Sequence, residues 1–195
     1  MDVVILPPDE IMDLSISLNR QLLEQVPSEL VLSKDKCLPH ITLAMGAAEE
    51  SDLPKILEIT ARLAKKHLPI NLRLTDVQNY ERSDQEMMTA LKIERSPGLA
   101  ALHKEAILAT KPFYTFDATP EMFIEPPFMD GPGSHWTSGR VYKNVLDKYG
   151  PHITLGYGRL APLDKTVDFR ATRMALCHLG KNSTCRKILF EYVVK

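Results

Sequence analysis

Pro39-His40-Ile41-Thr42-Leu43 occurs a second time, unchanged, as Pro151-His152-Ile153-Thr154-Leu155, and a glycine follows each copy at the same distance, as Gly46 and Gly158. With average residue usage, an identical five-residue match inside a chain of this length arises by chance in about one sequence in a hundred. Each copy has the composition of a β-strand: Ile, Thr and Leu suit a pleated surface, and proline is tolerated at a strand's first position. Alternation puts His40 and Thr42 on one face and Ile41, Leu43 and Met45 on the other. His152 and Thr154 repeat the arrangement, with Ile153 and Leu155 opposite. Each strand thus presents an imidazole beside a hydroxyl, roughly 7 Å apart along the backbone, and an apolar face to hold it in a core.

The chain on either side of the first copy alternates strands and helices. Residues 2–6 form a continuous apolar run that reads as a buried strand ended by Pro7-Pro8. Asp9 is placed to cap a helix with Ile11, Leu14, Leu18, Leu22 and Val26 at helical spacing, and Pro27 stops it. The first repeat strand spans residues 38–45. Ser51 then caps a second helix, with Pro54 in its first turn and Leu53, Ile56, Leu57, Leu63, Ala64 and Leu68 on its buried face, up to Pro69. Ile70, Leu72 and Leu74 alternate with Asn71 and Arg73 as a half-buried strand, which a polar stretch joins to a second strand over residues 87–93. Ser96-Pro97-Gly98 starts a helix on Leu99, Leu102, Ala106 and Leu108 that runs to about Thr110.

Residues 111–150 differ, with five prolines, three glycines before Gly150 and scattered aromatics. Irregular segments of this length inside compact domains tend to be functional, so the segment reads as an insertion or a lid. It has room for short strands at residues 114–116 and 122–124 and a helix at 142–149. After the second repeat strand, residues 169–179 and 186–194 read as two strands paired as a hairpin around Gly180-Lys181-Asn182-Ser183.

Composition narrows the classes. At 195 residues, 44% hydrophobic and 25% charged, the chain suits one domain over residues 1–195 with a sizeable core. No apolar run approaches the roughly 20 residues of a membrane span. The first residues carry neither a basic flank nor a cleavage site, and three irregularly spaced cysteines suit a reducing compartment, so the expectation is a cytoplasmic protein without membrane partners. The net charge of −1 divides unevenly: residues 1–95 hold 11 Lys and Arg against 16 Asp and Glu, and residues 96–195 hold 13 against 9. A protein gripping long nucleic acid would be far more basic; a small phosphorylated ligand, or an uneven solvated surface, accounts for this balance.

The two histidines share one site only if the halves of the chain pack around a cleft. Histidine, with an unperturbed pKa of about 6.5, gives and takes protons near neutrality, so a pair can divide the work of base and acid. Phosphodiester cleavage needs that division, because the attacking oxygen loses a proton and the leaving oxygen gains one. Thr42 and Thr154 are placed to bind non-bridging phosphate oxygens and hold the phosphorus between the rings. Neither step needs a metal or a cofactor, and which histidine is the base is not readable from two identical motifs.

Histidine, hydrophobe, threonine, hydrophobe, present twice, resembles the pattern of the two-histidine (2H) phosphoesterase superfamily, and within it the 2′-5′ RNA ligase-like and cyclic phosphodiesterase branches. The order of elements and the Ser96-Pro97-Gly98-Leu99 helix start are also similar over most of the chain. The resemblance implies an α+β, bilobal fold in which two β-sheets line a central cleft with helices outside. It also implies hydrolysis of 2′,3′-cyclic phosphates or of 2′-5′-linked nucleotide or RNA phosphodiesters; separately, the chain is expected to be a monomer. Ligation at the same site, the reverse of 2′-5′ hydrolysis, is an alternative, and so is a module that binds nucleotides or RNA ends without turnover.

Other residues weigh differently. Tyr157 faces either the cleft or the core, and Trp136 and His135 are candidate substrate contacts in the irregular segment. His67, His103 and His178 read as structural. Lys181 to Lys187 reads as a solvated turn with a lesser option of reaching a phosphate. Zinc is the chief rival to the acid–base reading, through Cys37, Cys177, His178 and Cys185, but no Cys-x-x-Cys is present and free cysteine is more often a small buried hydrophobe, so no metal site is expected.

Overall fold

The computed structural model describes residues 1–81, 86–115, 119–124 and 148–194. Its main elements are β1 (Asp2–Leu6), α1 (Asp9–Gln25), β2 (Ile41–Met45), α2 (Leu53–His67), β3 (Ile70–Glu81), β4 (Met87–Ile93), α3 (Pro97–Thr110), β5 (His152–Tyr157), β6 (Val167–Ala171), β7 (Arg173–Leu179) and β8 (Cys185–Val193). The strands form two four-stranded antiparallel sheets, ordered β2-β1-β7-β8 and β5-β4-β3-β6. This is the α+β architecture expected from the sequence. Each repeat strand is the edge of its own sheet, and β2 and β5 touch where the sheets meet. The first sheet curls so far that Leu38, just ahead of β2, bridges Cys185 at the start of β8. No helix among the described residues is long and apolar enough to cross a membrane.

Two of the helices are exchanged between the sheets, while α2 stays with the first and packs on β7 and β8. α1 leaves β1 of the first sheet yet packs on β5 of the second, and α3 leaves β4 of the second yet packs on β2 of the first. Apolar side chains of both sheets (Val3, Ile5 and Leu43; Leu74, Leu91 and Ile153) therefore bury with Leu22 of α1 and Leu99 and Leu102 of α3 in one cluster.

The repeat reaches further than identity in sequence. Ile41 and Thr42 oppose Ile5 and Val4, but Ala44 and Met45 oppose Val3 and Asp2, so Leu43 is an extra residue in β2. Ile153 and Thr154 oppose Leu91 and Ala90, while Gly156 and Tyr157 oppose Thr89 and Met88, so Leu155 is the extra residue in β5. Both copies carry a β-bulge at the same leucine. A bulge leaves its residue out of the ladder and resets the alternation beyond it. Met45, expected beside Ile41 and Leu43, is thereby turned to the Thr42 face, where it packs on the cluster containing Val4 and Leu38.

Each bulge leaves a buried carbonyl that the ladder cannot satisfy. Asn19 of α1 donates through Nδ2 to Leu155 O at 2.7 Å, and His103 of α3 donates through Nδ1 to Leu43 O, also at 2.7 Å. Both side chains are buried, and each comes from the helix that has crossed over. Asn19 also donates to Leu30 O and accepts from Leu32 N, tying the loop after α1 to the same point. The closing glycines have separate reasons. Gly158 adopts φ +118°, and a Cβ on Gly46 would lie 2.7 Å from the ring of Tyr114.

Several expectations are corrected. Asp9 is the first helical residue behind Pro8 and caps nothing. α1 buries Ile11, Met12, Ser15, Asn19 and Leu22, leaving Val26 exposed, because the inward face includes the polar Asn19. A 3₁₀ turn over Glu50–Asp52 replaces the Ser51 cap, and α2 starts at Leu53. α3 begins as expected, with Ser96 Oγ accepting from Leu99 N at 3.2 Å, but Leu108 is exposed. Residues 169–179 are not one strand: β6 pairs with β3 and β7 with β1, so the chain crosses between sheets at Thr172. The β7–β8 hairpin forms as expected. Residues 120–122 are a 3₁₀ turn, and Thr115 and Ile124 make isolated bridges to Ala47 and Gly180. Most of the proposed insertion, including most of the helix expected at 142–149, lies outside the described residues; 148–150 are not helical.

Candidate active site

The prolines that open both motifs restrict the residue before them to extended backbone. In each copy the carbonyl of that residue meets the imidazole: His40 Nδ1 donates to Leu38 O and His152 Nδ1 donates to Gly150 O, both at 2.8 Å. A carbonyl only accepts, so Nδ1 carries a proton in both rings. A neutral ring then has its lone pair on Nε2, and a charged ring has a second proton there to give. The two histidines are fixed in the same tautomer by the same local device.

Their surroundings differ. The side chain of His40 is 14% exposed, while His152 is an exposed residue. Burial lowers His40 to about 4, against the raising effect of the Leu38 hydrogen bond, and the charge of His152 adds to the lowering. The strands that carry the two motifs, β2 and β5, are in contact.

Beneath His40 lies Asp2, which is fully buried. Thr42 Oγ1 donates to Asp2 Oδ2 at 2.7 Å, and that oxygen is 3.8 Å from His40 Nε2. Asp2 Oδ1 has no hydrogen-bond partner among the described residues. Burial pushes the Asp2 carboxyl well above the usual carboxylate range, opposed by the Thr42 hydroxyl. Thr42 O accepts from Tyr149 Oη at 3.0 Å, and the Tyr149 ring stacks on His103 with 3.8 Å between centroids. His103 is thus structural, as expected: it holds β2 directly through Leu43 and indirectly through Tyr149.

The second half of the site is more open. Thr154 is half-buried, and its hydroxyl makes no hydrogen bond among the described residues. The bulge at Leu155 settles the position of Tyr157: it pairs with Met88, Thr154 with Ala90 and His152 with Lys92, so all three lie on one face. Lys92, exposed and paired with His152, is a candidate site residue that the sequence alone does not suggest. Its signal is the β4 alternation Met88, Ala90, Lys92, which becomes meaningful only once the register is known. Asp2 escapes because it stands in an apolar run, and Asn19 because it lies within a helix read for its leucines.

His135 and Trp136 lie outside the described residues. His67 pairs with Glu105, and His178 Nε2 donates to Met122 O, both away from the motifs. Lys181 pairs with Glu29. A separate groove lined by Asn71, Arg73, Glu94 and Asp168 holds neither motif histidine, and its Arg73 is bound to Asp168.

The sequence model described as the 2′-5′ RNA ligase superfamily matches residues 33–168, which contain both motifs. Among solved structures, the Thermus thermophilus protein TT0787 is similar with a TM-score of 0.63 at 18% identity, covering 98% of this chain and 96% of that one. A structure described as a phosphoesterase has a TM-score of 0.50 at 13% identity, covering 99% and 96%. E. coli LigT in apo form has a TM-score of 0.49 at 15% identity, covering 98% and 95%. The first of these likenesses supports the fold. No curated protein matches in sequence.

Proposed function

Starting from the 2′-5′ RNA ligase superfamily, to which this chain belongs, we propose that the protein is a metal-independent phosphodiesterase acting on 2′,3′-cyclic phosphates or 2′-5′-linked nucleotide or RNA phosphodiesters. His40 and His152 are its acid–base pair. The observation that carries this reading is the shared hydrogen bond from Nδ1 to the carbonyl two residues back, which leaves both Nε2 atoms for proton transfer.

His40, enclosed and therefore neutral, takes the proton of the attacking water or hydroxyl through Nε2. His152, open to solvent, gives a proton from Nε2 to the leaving oxygen. The Thr154 hydroxyl donates to a non-bridging phosphate oxygen. Thr42 has a different part from the one its sequence suggests: its hydroxyl is given to Asp2, so it braces the floor under His40. Lys92 supplies positive charge beside His152, and Tyr157 lines the same face. The deciding experiment is turnover of a 2′,3′-cyclic nucleotide and of a 2′-5′ dinucleotide by chelator-treated protein. Product formed by wild type and not by His40→Ala or His152→Ala supports the reading. Binding without turnover makes the protein a nucleotide-binding module.

A further inference from the structure

The curl of the first sheet gathers three different donors at one end. Asp2 begins β1, His40 stands just ahead of β2, and Cys185 begins β8, brought there by the bridge to Leu38. One donor atom of each lies within 4.8 Å of the other two. Spacing along the chain gives no hint of this cluster.

We propose that Asp2, His40 and Cys185 form an inhibitory site for a thiophilic divalent cation, of which zinc is the type. Tetrahedral zinc with oxygen, nitrogen and sulfur ligands holds them about 3.3–3.8 Å apart, so no pair in the cluster need close by more than about 1.5 Å. The surroundings already have the form of a metal site's outer shell. His40 Nδ1 donates to Leu38 O, which aims Nε2 inward, and Asp2 Oδ2 accepts from Thr42. A ligating histidine and a ligating carboxylate are ordinarily braced in this way. Asp2 Oδ1 is buried without a partner among the described residues, an arrangement that ordinarily costs stability unless something binds there.

Binding releases the thiol proton of Cys185 to solvent, and any proton on Asp2, because the ligands must be the deprotonated forms. The metal takes the Nε2 lone pair, so a filled site removes the base. The inhibitory half of the inference rests on the acid–base reading above; the binding half does not.

Two readouts keep those halves apart. The first is cobalt added to the metal-free full chain: a thiolate-to-cobalt absorption band is expected in wild type and not in Cys185→Ser. Its absence from wild type overturns the site, whether or not any substrate is turned over and whether or not the variant folds. The second is zinc titration during turnover of a 2′,3′-cyclic nucleotide. Saturable inhibition at one zinc per chain, reversed by chelator, is expected. Cys185→Ser should keep the zinc-free rate and need at least about tenfold more zinc for half-inhibition. Equal sensitivity of both proteins overturns Cys185 as a ligand, and zinc bound at the cluster without loss of rate overturns the inhibitory role.

Discussion

His40 and His152 make the same backbone hydrogen bond in different surroundings, and the proposed division of roles between the two identical motifs rests on that difference. Neither imidazole is part of the apolar face that holds its strand, so His40→Ala and His152→Ala are expected to fold normally and to lose about 10²–10⁴ in rate, as general acid–base groups typically do. Circular dichroism and kcat check the two halves of that expectation. A nitrophenyl phosphodiester separates the roles, since its leaving group needs no proton: it should largely restore the rate of His152→Ala and not of His40→Ala. The reverse rescue would exchange the roles. The pH profile follows from burial. A base lowered to about 4 stays neutral until the pH falls below that value. With chelator present, the acidic limb of kcat/KM should therefore lie near pH 4. A limb near about 6.5 would mean that His40 is as hydrated as a free imidazole.

At the scale of elements, the two bulges and their two helix-borne partners are the device that points the motifs. Asn19→Ala would strip partners from Leu155 O, Leu30 O and Leu32 N together. Each orphaned buried group costs about 1–3 kcal/mol, partly recovered by relaxation, so a loss of about 2–4 kcal/mol in urea unfolding is expected. His103→Ala should be comparably damaging through Leu43 O and the lost stack on Tyr149. A loss below about 0.5 kcal/mol, typical of surface changes, would show that the bulge carbonyls are satisfied in some other way. These elements also show what is legible in the sequence. The faces of His40, Thr42, His152 and Thr154 follow from alternation, and the α3 start follows from Ser96 and Pro97. Alternation misassigns Met45 and leaves Tyr157 undecided, because a bulge is set by register between strands and the first copy marks it with nothing more than Ala44. The crossing at Thr172 is hidden for a similar reason: residues 169–179 are apolar on the side each sheet buries, with no Gly or Pro at the change of sheet.

For the molecule as a whole, the exchange of helices decides how the site responds to damage. α1 belongs by chain connection to the sheet that carries His40, yet it packs on β5 and holds the bulge beside His152. α3 does the converse for β2. Each sheet loses one covering helix if the other is lost, and the shared cluster of Leu22, Leu43, Leu99 and Ile153 loses contacts from both directions. Unfolding should therefore be one transition, with both sheets melting together. Asn19→Ala, on the second sheet, and His103→Ala, on the first, each test this. For a chain of this size each kcal/mol lowers Tm by about 2–4 °C, and both variants should shift the whole calorimetric peak by that scale without splitting it. Amide exchange gives the local view: protection in β2 and in β5 should fall together in both variants. A split peak, or protection lost from β5 alone in Asn19→Ala, would show that the sheets melt separately and that the two histidines are brought together by docking rather than by a common core.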